Sequence, residues 1–352
     1  MNFAIRQRRQ TEHDHYFTLN LLKMADSFRK TPGLLLSFIG LLLFVQCSQE
    51  NKGNNEYPSR PITYLVPWAA GGMTDMSSRI TAAVLQKALD NSVNVVNRTG
   101  GGGVVGHLAI STAKADGYTI GAVTVDISML HHMGLTHLTP KNYTPLALLI
   151  NNAASVTVRS DAPWNSIEEL KEEIINQPGK LKASGTARGG IWDLARLGFL
   201  KSMGLNGSDM PWVPSQGSAP ALQELMAGGI DVVTASLSEV APLRDAGQVK
   251  TLAVMSEERL DKFPDVPTLK ELGYDWSIGG WVSVCAPPNL PEDIKVRLDK
   301  ALRKALKDPD FTMALNNAGS TIQVLFGKEL EDFMDLQDQV NGQLMKEAGI
   351  AK

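Results

Sequence analysis

The sequence lacks an excess of charge of either sign. Its 352 residues contain 34 basic and 37 acidic side chains, which gives a formal net charge of −3. Proteins that bind nucleic acid carry a basic surface or stripe, and no basic run occurs in the body of this chain. The composition therefore gives no indication of a nucleic-acid partner. Hydrophobic residues make up 43% and charged residues 20%, as in globular proteins, and the length suffices for two domains.

A long apolar run is missing too. The run nearest the N-terminus extends from Gly33 to Val45, whereas a transmembrane helix needs about 20 residues. Arg29 and Lys30 precede it, and a short apolar segment behind a basic flank is typical of an export signal. The sequence therefore predicts that residues 1–46 are a signal region.

The end of this region resembles a bacterial lipoprotein signal. Cys47 stands just after the apolar run, and in such signals the cysteine is lipidated and becomes the mature N-terminus. The resemblance implies that Cys47 anchors the protein to a membrane. Residues 47–57 are polar, which predicts a flexible tether. The first 23 residues carry no core pattern, so that Met24 is the expected start of the signal.

Cysteine is otherwise nearly absent, because Cys285 is the only other one in the chain. It lies in an apolar stretch from Val282 to Ala286, where a lone cysteine is usually a small buried hydrophobic residue. With Cys47 lipidated, Cys285 has no partner, and the sequence predicts no disulfide.

Familiar catalytic and metal-binding motifs are missing. The chain contains neither a G-x-S-x-G nucleophile elbow nor a Walker A lysine motif. His131, His132 and His137 lie close together in the sequence, but no cysteine or acidic residue stands beside them at a zinc-site spacing. The sequence therefore predicts solvated or loop histidines, no metal, no cofactor and no enzymatic activity.

One glycine motif keeps an enzyme interpretation open. Gly101 to Gly106 satisfies G-x-G-x-x-G, and Asp126 lies 20 residues after Gly106, as in an NAD-dependent oxidoreductase. That fingerprint normally follows the first strand directly. Here Asn97-Arg98-Thr99 separates the strand from the glycines, and another strand–helix unit precedes it. The dehydrogenase is thus the alternative interpretation.

The most informative stretch that is present joins a strand to a helix near the start of the globular region. Ile62–Val66 is predicted to be a buried strand, and apolar spacing predicts a helix from about Asp75 to Leu89. Gly71 and Gly72 lie between them and allow a ligand to approach the backbone closely. The helix start offers free N–H groups and the positive end of the dipole, which together can bind an anion. An ordinary capped turn has the same local pattern.

Strands and helices alternate through the rest of the chain and predict an α/β protein of two units. Ligands of open α/β sheets bind at the carboxyl ends of the strands, so two such edges would form a cleft. The predicted strands are 93–96, 118–125, 146–150, 156–159, 181–184, 210–213, 230–235, 251–255 and 276–285. The further predicted helices are 104–114, one opened by Ser166 and ending near 176, one ending at 203, and 219–227, 291–307, 310–318 and 330–346.

Tryptophans lie beside the glycine turns or at strand ends. Trp212 and Trp281 are predicted to pack in the core. Trp68 lies inside the first glycine loop, where it either lines a pocket or packs in the core, since ligand pockets are mostly apolar and aromatic.

The joint order of these landmarks resembles the receptors of tripartite tricarboxylate transporters, also called the Bug family. The resemblance covers the chain from Tyr57 to the last helix. The matching stretches are Pro67 to Asp75 with Arg79, Asn97 to Gly103, Asp116 to Thr119, Ser184 to Thr186 with Gly189-Gly190, Pro214 to Gly229, Phe263 to Thr268 and Ala286 to Pro288.

The resemblance implies a two-domain periplasmic-binding-protein fold of type II, in which each domain has a mainly parallel sheet flanked by helices. It places the first domain at 58–155 with 276–352 and the second at 156–275. Segments near Asn152–Val156 and Trp276–Val282 would be the hinge. The expected ligand-binding residues are Trp68, Ala70, Gly71, Gly72, Thr74, Asp75, Asp126, Ser184, Thr186, Gly189, Ser215 and Gly217.

The resemblance also implies a function and partners. The expected protein is a monomeric extracytoplasmic receptor that binds a small di- or tricarboxylate or a related organic acid. It would close over the ligand and deliver it to a membrane permease.

Overall fold

The computed structural model describes residues 57–352, which belong to one compact unit, Glu56–Lys352. The predicted signal region, the start at Met24, the lipidation of Cys47 and nearly all of the tether lie outside the described residues. Within 57–352, no helix combines the length and the apolar character needed to cross a membrane.

Two sheets share one long strand. The first has the order β2-β1-β3-β8-β4 and the second β5-β6-β4-β7. In the first sheet only β8 runs against the other strands, and in the second only β4 does so. The strands are β1 (Ile62–Val66), β2 (Val93–Asn97), β3 (Thr119–Thr124), β4 (Thr144–Arg159), β5 (Ala183–Ser184), β6 (Val232–Ser236), β7 (Val249–Val254) and β8 (Gly279–Ala286).

Helices pack on both sheets. We call the first sheet with α1, α2 and α7 to α9 the first lobe, and the second sheet with α3 to α6 the second lobe. The nine α-helices of residues 57–352 are α1 (Met73–Leu89), α2 (Val104–Ser111), α3 (Ile167–Asn176), α4 (Ile191–Ser202), α5 (Ser218–Met226), α6 (Leu237–Asp245), α7 (Glu292–Ala305), α8 (Pro309–Asn317) and α9 (Gly327–Glu347).

Strand β4 passes from one lobe to the other without a break. Its pairing with β8 ends at Ala153, and its pairing with β6 begins at Ala154. The sequence predicts two separate runs here because the polar Asn152 interrupts the apolar pattern. In the structure that amide is buried and satisfied, since it donates to the Ser238 hydroxyl (2.9 Å) and accepts from the Thr321 N–H (2.7 Å).

The predicted two-lobed α/β class is confirmed, and most predicted elements are present with ends shifted by at most three residues. The predicted strand 210–213 is wrong: Trp212 makes a single bridge to Ala183. Pro211 and Pro214 flank this bridge, and proline cannot donate to a ladder. The prediction of buried side chains is confirmed for Trp281 and for Cys285, which is a free thiol.

Candidate functional site

Two loops with the same sequence pattern, Gly-Gly-x-x-Asp, open helices at one cleft between the lobes. They are Gly71–Asp75 before α1 and Gly189–Asp193 before α4. In each loop the first glycine has a positive φ (90° and 71°) that favours glycine, and its N–H donates to the aspartate at 3.0 and 2.8 Å. Each aspartate also pairs with an arginine of its own helix, Arg79 or Arg196. Arg79 and Arg196 are thus bound to the loops themselves.

The first N–H of each of these helices is bound by a carboxylate from the opposite lobe. The Met73 N–H of α1 donates to Glu239 Oε1 at 3.0 Å. The Ile191 N–H of α4 donates to Asp126 Oδ1 at 3.2 Å. Unpaired N–H groups and the positive end of the dipole favour a carboxylate at a helix start. Each lobe therefore caps a helix of the other.

Glu239 is held in place by its own helix as well. It is the third residue of α6, and its Oε2 accepts from the backbone N–H of Ser236 at 3.0 Å and from the Ser236 hydroxyl at 2.9 Å. The Ser236 side chain in turn accepts from the Glu239 backbone N–H, and this reciprocal arrangement is a capping box. One carboxylate oxygen thus caps α6 while the other reaches α1.

Asp126 belongs to a buried polar network behind Trp68. Its Oδ2 accepts from the Thr124 hydroxyl at 2.8 Å, and that hydroxyl accepts from the Trp68 indole N–H at 3.3 Å. The Thr124 N–H donates to His107 Nε2 at 3.2 Å, and His107 Nδ1 is 2.8 Å from the Gly103 carbonyl. Because Nε2 accepts, His107 is neutral and carries its proton on Nδ1.

Burial sets the protonation of this network. Desolvation lowers the pKa of His107 to about 4, although the hydrogen bond to the Gly103 carbonyl acts in the opposite direction. Desolvation also raises the pKa of Asp126, and the hydrogen bonds from Thr124 and Ile191 oppose that rise. His107 itself is fully buried in helix α2.

The cleft encloses a cavity of about 20 Å³, roughly the space of one water molecule. The lobes are therefore closed. Of the twelve expected ligand-binding residues, six line this cavity: Trp68, Gly72, Thr74, Asp126, Thr186 and Gly217. The other six belong to the same loops without lining it: Ala70, Gly71, Asp75, Ser184, Gly189 and Ser215.

The polar groups of several non-lining residues are already used within or between the loops. The Asp75 carboxylate binds the Gly71 N–H and Arg79. The Ser184 hydroxyl donates to the Val213 carbonyl at 2.6 Å, and the Ser215 hydroxyl donates to the Gly217 carbonyl at 2.9 Å. By contrast, the buried Thr186 hydroxyl has no hydrogen-bond partner among the described residues and lies at the cavity.

Sequence reasoning missed several residues of the cavity wall, above all Glu239. The signal for it was present, because Ser236-x-x-Glu239 after an apolar strand is a capping-box pattern. Pro242 within α6 obscured that helix. Thr124, Trp192 and Ser218 also line the cavity.

The glycines from Gly101 to Gly106 serve close packing beneath the first loop. A Cβ on Gly106 would lie 2.4 Å from the Pro67 Cα, and one on Gly103 would lie 3.0 Å from the Trp68 ring. These close approaches account for Gly103 and Gly106 without a dinucleotide.

Two of the three neighbouring histidines have an acidic partner that is distant in sequence. His131 Nε2 lies 3.3 Å from Asp338 Oδ1 of α9, and His132 Nε2 lies 4.0 Å from the same oxygen. The possible ligand atoms of His131, His132 and Asp338 all lie within 4.8 Å of one another, so these residues could hold a metal ion. His137 is outside this group. They do not line the cleft cavity.

Comparison with known proteins agrees with this architecture. The family model "Tripartite tricarboxylate transporter family receptor" matches residues 78–350. A UPF0065 protein of Bordetella pertussis is 32% identical over 311 residues, which cover 84% of this chain and 91% of that protein.

Solved structures show the same likeness. The periplasmic binding protein BugD has a TM-score of 0.79 and 28% identity, with 84% of this chain and 100% of that chain covered. R. palustris Rpa4515 with adipate has a TM-score of 0.79 and 26% identity, with 84% and 99% covered. This chain therefore belongs to the TctC family of tripartite tricarboxylate transporter receptors, which are periplasmic solute-binding proteins.

Proposed function

We propose that this protein is an extracytoplasmic receptor that captures a small organic acid between its lobes and delivers it to a membrane permease of the tripartite tricarboxylate type. The observation that carries the proposal is the convergence of helix starts on one closed cavity. Helices α1, α4 and α5 all begin at residues that line it. The first N–H groups of α1 and α4 are already bound by Glu239 and Asp126, whereas no side chain caps α5. Helix starts bind carboxylates through backbone N–H groups.

The buried hydroxyl of Thr186 supports a ligand at this place. A buried polar group without a partner costs about 1–3 kcal/mol, and a ligand that accepts or donates a hydrogen bond there would remove that cost. The neighbour Rpa4515 holds adipate, which is an organic acid of the class proposed here. The binding residues expected from the sequence remain part of this proposal.

Capture would require the lobes to open and close. A cavity of about 20 Å³ cannot admit an organic acid, so the ligand enters an open form. We infer that the hinge lies where β4 crosses between the sheets, at Ala153 and Ala154, and where β8 begins at Gly279. Closure then follows from a higher ligand affinity in the closed state.

Delivery and anchoring complete the proposal. A lipidated Cys47 would hold the receptor at the membrane, and the closed, loaded lobes would dock on the permease. The receptor would bind without turnover. The dehydrogenase alternative rests on the Gly101–Gly106 pattern, in which Gly106 already packs against Pro67 and Gly103 against Trp68.

Thermal unfolding of residues 56–352 tests this function. The protein is unfolded and refolded to remove bound solute, and then heated with mono-, di- and tricarboxylates, amino acids and NAD in separate samples. A compound at about 100 times its Kd adds ~2.7 kcal/mol to the free energy of unfolding. A shift with an organic acid and none with NAD is expected. A shift with NAD alone would contradict the receptor function.

A further inference from the structure

The charge of the closed cleft restricts the ligand, provided that the receptor function proposed above holds. Two carboxylates line the cavity, Asp126 and Glu239, while no lysine, arginine or histidine occurs among its described lining residues. Arg79 and Arg196 are paired with Asp75 and Asp193. Arg188, which precedes the second loop, donates to the Trp212 carbonyl at 3.3 Å and is not among the residues that line the cavity. The cleft therefore has acidic side chains without a cation of its own.

In the hydrogen bonds described, both carboxylates accept only from uncharged donors. Asp126 accepts from a threonine hydroxyl and a backbone N–H. Glu239 accepts from a serine hydroxyl and two backbone N–H groups. A dicarboxylate closed into this space would place two more negative charges beside them. Like charges at close range in a buried site oppose binding.

One helix start at the cavity has no carboxylate cap. Helix α5 begins at Ser218 after Gly217, and no side chain caps it. Both residues line the cavity, as does Thr186, whose buried hydroxyl is without a described partner. The Ser215 N–H donates to the Thr186 carbonyl at 2.8 Å, which places the two loops side by side. This corner offers one position for a carboxylate.

Aromatic rings complete the wall near the acidic groups. Trp68 and Trp192 both line the cavity. Their indole N–H groups are already used, by the Thr124 hydroxyl at 3.3 Å and the Ser218 hydroxyl at 3.1 Å. The faces of the two rings are therefore the parts of these side chains that can contact a ligand. Aromatic ring faces attract cations.

We propose that the ligand is a zwitterion with one carboxylate and one positively charged nitrogen, of the amino-acid or betaine type, rather than a plain di- or tricarboxylate. Its carboxylate binds at the start of α5 beside Thr186. Its cationic nitrogen lies between Asp126 and Glu239, against the tryptophan rings. The two acidic residues thus determine specificity by charge.

Matched pairs of compounds test this inference by calorimetric titration of ligand-stripped residues 56–352. Each pair shares a methylene chain and differs in one terminal group: β-alanine and succinate, 4-aminobutyrate and glutarate, 5-aminopentanoate and adipate. The α-amino acids and glycine betaine are titrated as well. The inference predicts that the best ligand carries a cationic nitrogen and binds at least about tenfold more tightly than the matching dicarboxylate.

Substitution of the acidic residues identifies the cause of the preference. Glu239→Gln removes the charge and keeps one of the two acceptor oxygens. It should weaken binding of the zwitterion by about tenfold and strengthen binding of the matched dicarboxylate. Glu172→Gln, on the exposed face of α3, is the matched control and should change neither. An unchanged circular dichroism spectrum and a cooperative unfolding transition establish that the variants are folded.

The outcomes separate this inference from the function on which it rests. Tighter binding of a dicarboxylate, or equal binding within pairs, overturns the proposal of a zwitterionic ligand and leaves the proposed receptor function intact. A zwitterion preference that survives in Glu239→Gln and in Asp126→Asn overturns the assigned role of these residues. Binding of no compound in either class counts against both proposals.

Discussion

Glu239 joins a local cap to a contact across the cleft. Its side chain completes the capping box of α6 and also accepts from the Met73 N–H of α1. Removing a helix cap costs about 1 kcal/mol, and a hydrogen bond to a charged group contributes about 1.5–3 kcal/mol. The residue should therefore stabilise the closed protein through both lobes.

Glu239→Ala should lower the free energy of unfolding by about 2 kcal/mol, because it removes the α6 cap and the bond to α1. Urea unfolding followed by circular dichroism measures the change. Glu172→Ala, which truncates an exposed glutamate of α3, should stay within about 0.5 kcal/mol of the unsubstituted protein. Equal stability of the two variants would show that Glu239 does not link the lobes.

His107 should make the protein less stable in mild acid. Its folded pKa of about 4 lies below its ordinary value of 6.5, so between these pH values the unfolded chain binds a proton that the folded chain does not. The contribution of the neutral His107 to the free energy of unfolding is therefore fully present above pH 6.5 and is lost as the pH drops toward 4. The loss amounts to roughly 3 kcal/mol at most, from 1.36 kcal/mol per pKa unit.

His107→Gln isolates this effect, because an amide can still donate to the Gly103 carbonyl and accept from the Thr124 N–H. Asp126, which faces the same network, has a raised pKa, and its protonation favours the folded state as the pH falls. That opposing contribution is present in both proteins. The difference in unfolding free energy between them should shrink or reverse from about pH 7 to about pH 4, and a pH-independent difference would refute a neutral buried histidine.

At the scale of elements, periodicity and turn residues were sufficient for most helices and strands. Long runs such as α1 and α9 repeat apolar residues at helical spacing, and glycine pairs mark the starts of α1 and α4. The exceptions have local causes. Pro242 hid helix α6, and Asn152 divided β4 in the sequence although its amide is satisfied by residues 86 and 169 positions away.

Close packing at Gly106, the third residue of α2, predicts the effect of a substitution there. A Cβ on Gly106 would meet the backbone of Pro67 at 2.4 Å and the Arg98 carbonyl at 2.6 Å, and backbone cannot move aside as a flexible side chain can. Gly106→Ala should therefore lower the free energy of unfolding by about 1–3 kcal/mol, as overpacking does.

Leu108→Ala on the same helix is the control for Gly106→Ala. This leucine is 45% exposed, so that its truncation should change the free energy of unfolding by less than about 0.5 kcal/mol. Chemical unfolding of both variants provides the comparison. A Gly106→Ala protein as stable as Leu108→Ala would mean that the glycine run is not needed for packing and would reopen the dinucleotide interpretation.

At the scale of the whole molecule, the sequence was a better guide to the loops than to their pairing. The glycine turns identified the helix starts that form the cleft. The carboxylates that reach these starts come from the opposite lobe, Glu239 being 166 residues from Met73 and Asp126 being 65 residues from Ile191. Such pairs exist only once the lobes are closed, and no local pattern encodes them.

Opening and closing of the two lobes is the movement on which the proposed function depends. The two lobes are linked by β4 and by the cross-cleft bonds of Glu239 and Asp126. Breaking one of these bonds should shift the ligand-free protein toward an open form, and a bound solute should shift it back, because the solute favours the closed state.

Pulsed electron–electron double resonance, which measures the distance between two spin labels, tests this shift most directly. Ala83→Cys on α1 and Gln223→Cys on α5 are exposed positions on opposite lobes, and Cys285 is buried. We expect a broad distance distribution without ligand, a longer mean distance in Glu239→Ala, and one shorter, narrow distance with the compound that raises the unfolding midpoint most. An identical distribution in all three samples would contradict a receptor that closes on its solute.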